Sequence, residues 1–438
     1  MAAPIRRLKD PGDAEAISAL LAPSGAAWAD AGETGEYVAQ VIARVREGGS
    51  AAVLHYAREL DGADAEGLED LRAPPELLRQ AWDALDGAAR EALSLAQRRI
   101  QAYHEHQVQA DWSYQDDIGF RLGQRLTPLS RIGLYIPGGR AAYPSTLLMN
   151  AVPARIAGVG EIVAISPAAS ADGIAPAVLA AAHLAGVGCI YALGGAHGIA
   201  LLAHGAESFE PVEKIVGPGN RFVTAAKRQL YGAVGIDSLA GPSEVAVIAD
   251  AGTPPRWAAL DLCAQAEHDP DARAVLFCDS GAHLDRIEAA LLAEMDQLPR
   301  RSIISASLRD HGALIQVERL TDAVEWCNRM APEHLQLAVQ EPGALAERAR
   351  CTGAVFLGMH ACEALGDYTA GSNHVLPTAG TARFASPLGV GDFRRRTSVI
   401  ECTPEGAAAL AGPTAVLARL EGLEAHARAA ESRLNRDE

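Results

Sequence analysis

This sequence of 438 residues has no CxxC pair, no secretion-type leader and no excess of positive charge, and each absence excludes a class of function. Its seven cysteines, at 189, 263, 278, 327, 351, 362 and 402, are scattered and odd in number. That pattern reads as reduced thiols in a cytoplasmic protein and not as a disulfide framework. The amino terminus, MAAPIRRLKDPGD, lacks an apolar core segment, so no secretion signal is expected. Acidic residues outnumber basic ones by 55 to 38, a formal charge of −17. Nucleic acids and anionic membranes both need a positive footprint, so neither is expected as a partner. Charged residues at 21% and hydrophobic residues at 49% nevertheless describe a folded chain and not a disordered one.

From Gly173 to Ala206 there is no Asp, Glu, Lys or Arg, a span longer than the ~20 residues that cross a bilayer. Seven glycines, Pro176 and three histidines interrupt it, and its texture alternates between helix-like and strand-like pieces. A buried α/β layer explains this better than a membrane span.

Residues 1–125 read as a mainly helical region, with a helix start at Pro74-Pro75 before a long periodic run. His104 and His106 within it lack the spacing of a zinc-binding helix pair and read as part of a solvated face. From about 130, short apolar runs alternate with helices: IGLYIP, EIVAIS, CIYAL and KIVG, then VAVIAD, AVLFCD, ALIQV, LQLAV and AVFLG. Such alternation predicts parallel sheets built from βαβ units, with ligand loops at the strand carboxyl ends. The expected fold is therefore α/β, with two successive incomplete Rossmann-like parallel-sheet domains at 126–240 and 241–385. A small helical tail at 386–438 follows. It opens on the cap pair Thr403-Pro404, is expected to break at Gly412-Pro413, and ends in one amphipathic helix. Too small to form its own core, this tail must dock elsewhere, and a partner subunit is a candidate.

Several segments carry groups suited to chemistry. Three glycine-rich turns follow strands of the first α/β domain: Tyr135 to Arg140, Gly194-Gly-Ala-His197-Gly, and Gly217-Pro-Gly-Asn220. Glycines there let backbone N–H groups approach a phosphate, although no GxGxxG fingerprint is present. In AQAEHDP, Gln265 and His268 share a helical face, but two ligands do not make a metal site. Glu333-His334 offers an adjacent acid and imidazole for acid–base work, provided the junction before the strand turns both into one pocket. The loop from Ala364 to Pro377 packs Asp367, His374 and turn residues together, as functional loops do. His360 and Cys362 lack a matching second pair and read as structural.

The runs SLAGPSEVAVIAD, AQAEHDPD, APEHLQL, GDYTAGSNHVLPT and EGLEAH, in this order over residues 20–435, closely resemble the histidinol dehydrogenase family. The resemblance implies oxidation of L-histidinol to L-histidine in two hydride transfers that consume two NAD⁺. It implies one Zn²⁺ per subunit, held by Gln265, His268 and Asp367, with His426 supplied by the tail of the other subunit of a homodimer. The matching acid–base residues are Glu333 and His334. Ser243, His374 and Glu421 match substrate-contacting positions, and the zinc ligands and His334 also face the substrate. For NAD⁺ the matching residues are Tyr135, Asn220 and His197, the last standing where the family usually has glutamine. A sulfopropanediol dehydrogenase on the same scaffold is the nearest rival, but Glu421 and His426 favour a substrate that carries an imidazole.

Overall fold

The computed structural model describes residues 5–23, 32–138, 142–168 and 173–434. Two parallel sheets carry the chain. In the first, the strands run β6 (Cys189–Ala192), β5 (Glu161–Ser166), β4 (Arg131–Tyr135), β7 (Lys214–Val216), β8 (Gly235–Ile236). In the second they run β1 (Arg6–Lys9), β11 (Ala313–Gln316), β10 (Arg273–Cys278), β9 (Glu244–Ala249), β12 (His334–Ala338), β13 (Ala354–Leu357). A third, antiparallel sheet joins β14 (Arg394–Cys402), β3 (Phe120–Pro128) and β2 (Trp112–Gln115). The fold is thus mixed α/β with two Rossmann-like parallel sheets.

The apolar runs read from the sequence are these strands, and the reason is burial on both faces. All six residues of β9 are buried, Glu244 included, as are the last five of β10 and all five of β12. Strands covered on both sides cannot alternate polar and apolar residues, so they read as continuous apolar segments. Helices return the chain between them. Several begin with proline in the first turn, where its missing N–H is no loss: Pro144, Pro176 and Pro255. The charge-free stretch is a helix, a strand and a helix of this layer, Pro176–Ala185, β6 and Gly195–His204, with side chains largely buried. Among the described residues no helix is long and apolar enough to cross a membrane.

The structure departs from the sequence reading at six places, the first being β14 itself, a 9-residue strand paired with β3 inside the tail that is expected to be helical. The first 125 residues are not uniformly helical, because β1 pairs in parallel with β11 and forms an edge of the second sheet. The periodic run after Pro75 is two helices, Pro75–Ala84 and Gly87–Glu105, since Asp86 caps the second by accepting from Ala89 N. His104 is buried and not on a solvated face. Its Nδ1 lies 2.8 Å from Ile100 O and its Nε2 3.3 Å from the Asn373 amide, so it fills a polar niche in the core.

In the tail, the helix Pro404–Leu420 continues through Pro413. Its packing against the following helix through Ala415, Ala418 and Ala427 outweighs the lost backbone bond. The terminal run is also split. Gly422, with φ +76°, ends the helix as Leu423 N bonds Ala418 O at 2.7 Å and Gly422 N bonds Arg419 O at 3.0 Å, before Glu424–Glu431 begins.

One buried ion pair shapes the loop after β7. Lys227 and Asp237 are in direct contact, 2% and 4% exposed, and both hold the Gly217 peptide. Lys227 Nζ donates to Gly217 O at 3.0 Å, and Asp237 Oδ2 accepts from Gly217 N at 2.8 Å. Gly217 has φ +109°, and a Cβ there would lie 2.2 Å from Tyr135 O, so only glycine fits this crossing of β4. The turn delivers Asn220 to the start of the helix Arg221–Leu230.

Candidate active site

Two clusters of functional side chains lie on the two parallel sheets. The first is a cleft of about 480 Å³ at the carboxyl ends of β4, β5, β6 and β7, lined among others by Asp61, Tyr135, Gly194, His197 and Asn220. The three sequence-predicted cofactor residues therefore share one cleft. Tyr135 closes β4, and burial pushes its phenol up to about 12, so it is a neutral hydrogen-bonding group. Asn220 Oδ1 is already used as a helix cap, accepting from Phe222 N at 3.0 Å and Val223 N at 3.2 Å. Only its NH₂ group is left for a ligand. Gly139 and Arg140 of the first glycine-rich turn lie outside the described residues.

The second cluster sits at the amino ends of β9 and β12, and this overturns the expectation that all ligand loops gather at carboxyl ends. The reason is connectivity. A helix that follows a strand returns the chain to the amino edge, so the end of helix Pro255–Ala266 delivers Gln265 and His268 there. β12 pairs with β9 in the register His334 to Val245, which sets Glu333 and His334 beside Glu244. The Glu244 backbone then serves both: its N–H donates to Glu333 Oε2 at 3.0 Å, and its C=O lies 3.1 Å from His334 Nδ1. Glu333 and His334 are both buried, with 3.8 Å between Oε2 and Nδ1. Beyond them, His334 Nε2 is 3.6 Å from Asp367 Oδ1.

Helix Glu363–Tyr368 contributes two carboxylates to this point. Ligand atoms of His268, Glu363 and Asp367 all lie within 4.8 Å of one another, a spacing that could hold a metal ion. Gln265, fully buried, has no partner for either amide atom, and Glu363 Oε2 and His334 Nε2 are likewise buried and unpartnered. Such orphaned groups cost about 1–3 kcal/mol each unless a ligand satisfies them. Charge has the same imbalance. Burial pushes Glu333 up to about 7, against the pull of His334. It pushes Glu363 up as well, and Asp261, bonded by Gln336 Nε2 at 2.6 Å, up to about 6. Burial alone would lower His334, but Glu363, Glu333 and Asp367 outweigh it and hold it up at about 10. Burial would raise Asp367, but His334 beside it holds that carboxyl low.

The Asp367–His374 loop ties this cluster to the first sheet's domain. His374 Nδ1 lies 2.8 Å from Asp367 O, and its Nε2 is 3.2 Å from Thr146 Oγ1 on helix Pro144–Ala157. Arg99 donates to Thr369 O at 2.5 Å and Ala370 O at 3.0 Å, anchoring the same loop from helix Gly87–Glu105. Ser243 is half-buried just before β9, its carbonyl accepting from Arg273 N at 2.9 Å. Within one chain the tail stays away: Glu421 and His426 are exposed, and His426 is not in the metal-capable group. His360 packs edge-on against Trp257 at 5.3 Å, and Cys362 precedes helix Glu363–Tyr368.

Sequence reading missed Glu363, Glu244 and Asp61. For Glu363 a signal existed, since it stands four residues before Asp367 and so shares its helical face. Glu244 acts through its backbone, which leaves no mark in a sequence. Asp61 arrives from the carboxyl end of helix Glu33–Leu60, more than a hundred residues before its partner His197.

The sequence profile of the histidinol dehydrogenase family matches residues 27–434. A histidinol dehydrogenase of Nitrosomonas europaea is 50% identical over 396 residues, covering 90% of this chain and 91% of the relative. One of Pseudomonas fluorescens is 46% identical over 437 residues, covering 99% and 98%. The crystal structure of histidinol dehydrogenase from Elizabethkingia anophelis superposes with a TM-score of 0.93 at 31% identity, covering 99% of both chains.

The raised groups give a pH dependence of definite sign. Glu333, Glu363 and His334 all titrate higher in the folded protein than in an unfolded chain. Between about pH 6.5 and 8 these three groups hold more protons in the metal-free folded state and lower its stability as pH rises. The histidines that burial lowers, His104, His204, His268, His283 and His374, oppose this only until unfolded imidazoles lose their protons at about pH 7. With chelator present, the urea midpoint should be lower at pH 8 than at pH 6.5, and Glu363→Gln should narrow the difference. A midpoint that rises over this range would contradict the assignment of these buried charges.

Proposed function

This chain belongs to the histidinol dehydrogenase family, and from that premise we propose that it oxidises L-histidinol to L-histidine through an enzyme-held aldehyde, in two hydride transfers. The observation that carries the reading is the buried meeting of Glu333, His334, Glu363 and Asp367, one helix end away from the unpartnered Gln265 amide. A divalent cation fits this place on two counts: carboxylates outnumber the basic groups, and buried donor atoms stand without partners. Gln265, His268 and Asp367 would hold Zn²⁺, with donor types that suit it. Bound there, Zn²⁺ would supply an electrophilic anchor that orients the substrate, and NAD⁺ in the first cleft would supply the hydride acceptor for each half-reaction.

The chain's own residues do the proton work. A carbonyl oxygen can only accept, so the contact with Glu244 O keeps a proton on His334 Nδ1, and a cation in place of the protons that the cluster otherwise holds would leave the Nε2 lone pair free and Glu333 ionised. That nitrogen takes the hydroxyl proton of the alcohol as the carbinol C–H bond gives up its hydride. The product is the aldehyde. Glu333 is held through Oε2 by Glu244 N–H, which leaves Oε1 to take a proton from water as the water oxygen bonds to the aldehyde carbon. The resulting hydrate is a monoanion, its former carbonyl oxygen unprotonated. It loses its C–H hydride to NAD⁺ and its one hydroxyl proton to His334, which has by then shed the first, and so becomes the carboxylate. Burial of both residues keeps bulk water from competing. Ser243 and His374 would contact the substrate, and Tyr135, His197 and Asn220 the dinucleotide.

The exposed tail supports a homodimer with shared sites. Val416, Leu417 and Leu420 are 59%, 63% and 79% exposed, and the apolar core of the tail helices is three alanines. Docked on a second copy, the tail would bury this face and bring Glu421 and His426 to the partner's cluster. Free cysteines throughout suit a cytoplasmic enzyme.

The test of function is stoichiometry: two NADH should form for each histidine from histidinol. One NADH with histidinaldehyde released, or turnover of dihydroxypropanesulfonate in preference, would refute the reading.

The shared site has its own test. His334→Ala and His426→Ala homodimers should each be nearly inactive. Co-expressed in equal amounts they form mixed dimers with one intact site, recovering about a quarter of wild-type activity. No recovery in verified mixed dimers would mean that the tail serves its own chain.

A further inference from the structure

Resting on the assignment of the first cleft to NAD⁺, we propose that Asp61 is a positioning residue that fixes the tautomer of His197, so that His197 meets the dinucleotide as a hydrogen-bond acceptor. His197 is fully buried in helix Gly195–His204, and its ring stacks on Tyr56 at 6.0 Å and 28°. Its Nε2 lies 2.9 Å from Asp61 Oδ2. The same oxygen accepts from Gly194 N at 3.0 Å, and two donors converging on one oxygen suit an ionised carboxylate. A carboxylate only accepts, so a proton sits on Nε2, and the neutral imidazole then carries its lone pair on Nδ1. Nδ1 is buried with no partner, and it faces Gly195, where a Cβ would lie 3.4 Å away. Both residues line the cleft.

The placement of Asp61 points the same way. It follows the last residue of helix Glu33–Leu60, a position where the helix dipole disfavours an anion. Its side chain does nothing for the helix end; the contact with His197 and Gly194 accounts for it.

A neutral acceptor at Nδ1 selects a group that brings a proton. Phosphate offers only acceptors and does not fit. An N–H of the nicotinamide carboxamide or an O–H of a ribose does. Glutamine at this position would present both a donor and an acceptor and would need no tautomer to be fixed.

The experiment is a double-mutant cycle of Asp61→Ala and His197→Gln, reading KM for NAD⁺ beside KM for histidinol. With His197 in place, Asp61→Ala should raise KM for NAD⁺ about tenfold, the equivalent of one hydrogen bond. In the His197→Gln background the same change should raise it less than about threefold, the Gly194 contact being lost in both backgrounds. KM for histidinol should hold. Equal effects in the two backgrounds would overturn the proposal, because a purely structural pair has no reason to be rescued by glutamine. Repeating the cycle with 3-acetylpyridine adenine dinucleotide, which lacks the carboxamide N–H, and with deoxyribose analogues identifies the donor. The coupling should vanish with the analogue that lacks it, and persistence with all of them would also overturn the proposal. Should Asp61→Ala fail to fold, ¹⁵N-imidazole labelling of the wild type reads the tautomer directly, with His197→Gln assigning the signal; a proton on Nδ1 with Nε2 bare would overturn it. If the wild type forms no NADH at all, the dinucleotide assignment fails first, and that outcome is distinct from these.

Discussion

The structure depends on an excess of buried negative charge at the amino edge of the second sheet. Glu333, Glu363 and Asp367 surround His334, with Asp261 acting on Glu363 and His268 on Asp367. Removing an ion from water costs several kcal/mol even after relaxation, so such a cluster persists only when protons or a cation balance it. The raised carboxyls and the strongly basic His334 are the proton form of that balance. The unpartnered amide of Gln265 is what protons cannot satisfy, since it offers a ligand oxygen where further acid would only compete.

The fold holds this cluster in place by means that do not themselves join the chemistry. Pairing of β9 with β12 sets the Glu244 peptide between Glu333 and His334, orienting one through its N–H and the other through its C=O. Arg273, 3.3 Å from the Glu244 carboxylate, keeps that residue seated. The loop after helix Glu363–Tyr368 is pinned by Arg99 and Asn373 and reaches Thr146 through His374. In the cleft itself, the pair Lys227–Asp237 plays the role that Glu244 plays in the second cluster, clamping the Gly217 peptide so that Asn220 starts its helix.

Much of this was legible in the sequence, and the rest was not for identifiable reasons. The strands were readable because doubly covered parallel strands must be apolar along their length. The grouping of Asp367 and His374 was readable because polar turn residues on a rigid scaffold are costly without a purpose. Glu363 carried a usable signal in its spacing from Asp367. His104 did not: a histidine between two polar residues looks solvated until Asn373, 269 positions later, proves to be its partner. Pro413 misled because its local cost is offset by packing that a sequence does not display. β1 misled because a four-residue edge strand has too few residues to show a pattern.

The most direct test of the account is zinc-edge anomalous diffraction from crystals of the zinc-loaded protein. The account predicts one strong peak per chain, within bonding distance of Gln265, His268 and Asp367, and approached by the partner subunit's His426. Peaks confined to surface sites in an active preparation, leaving the buried carboxylates without a cation, would contradict it.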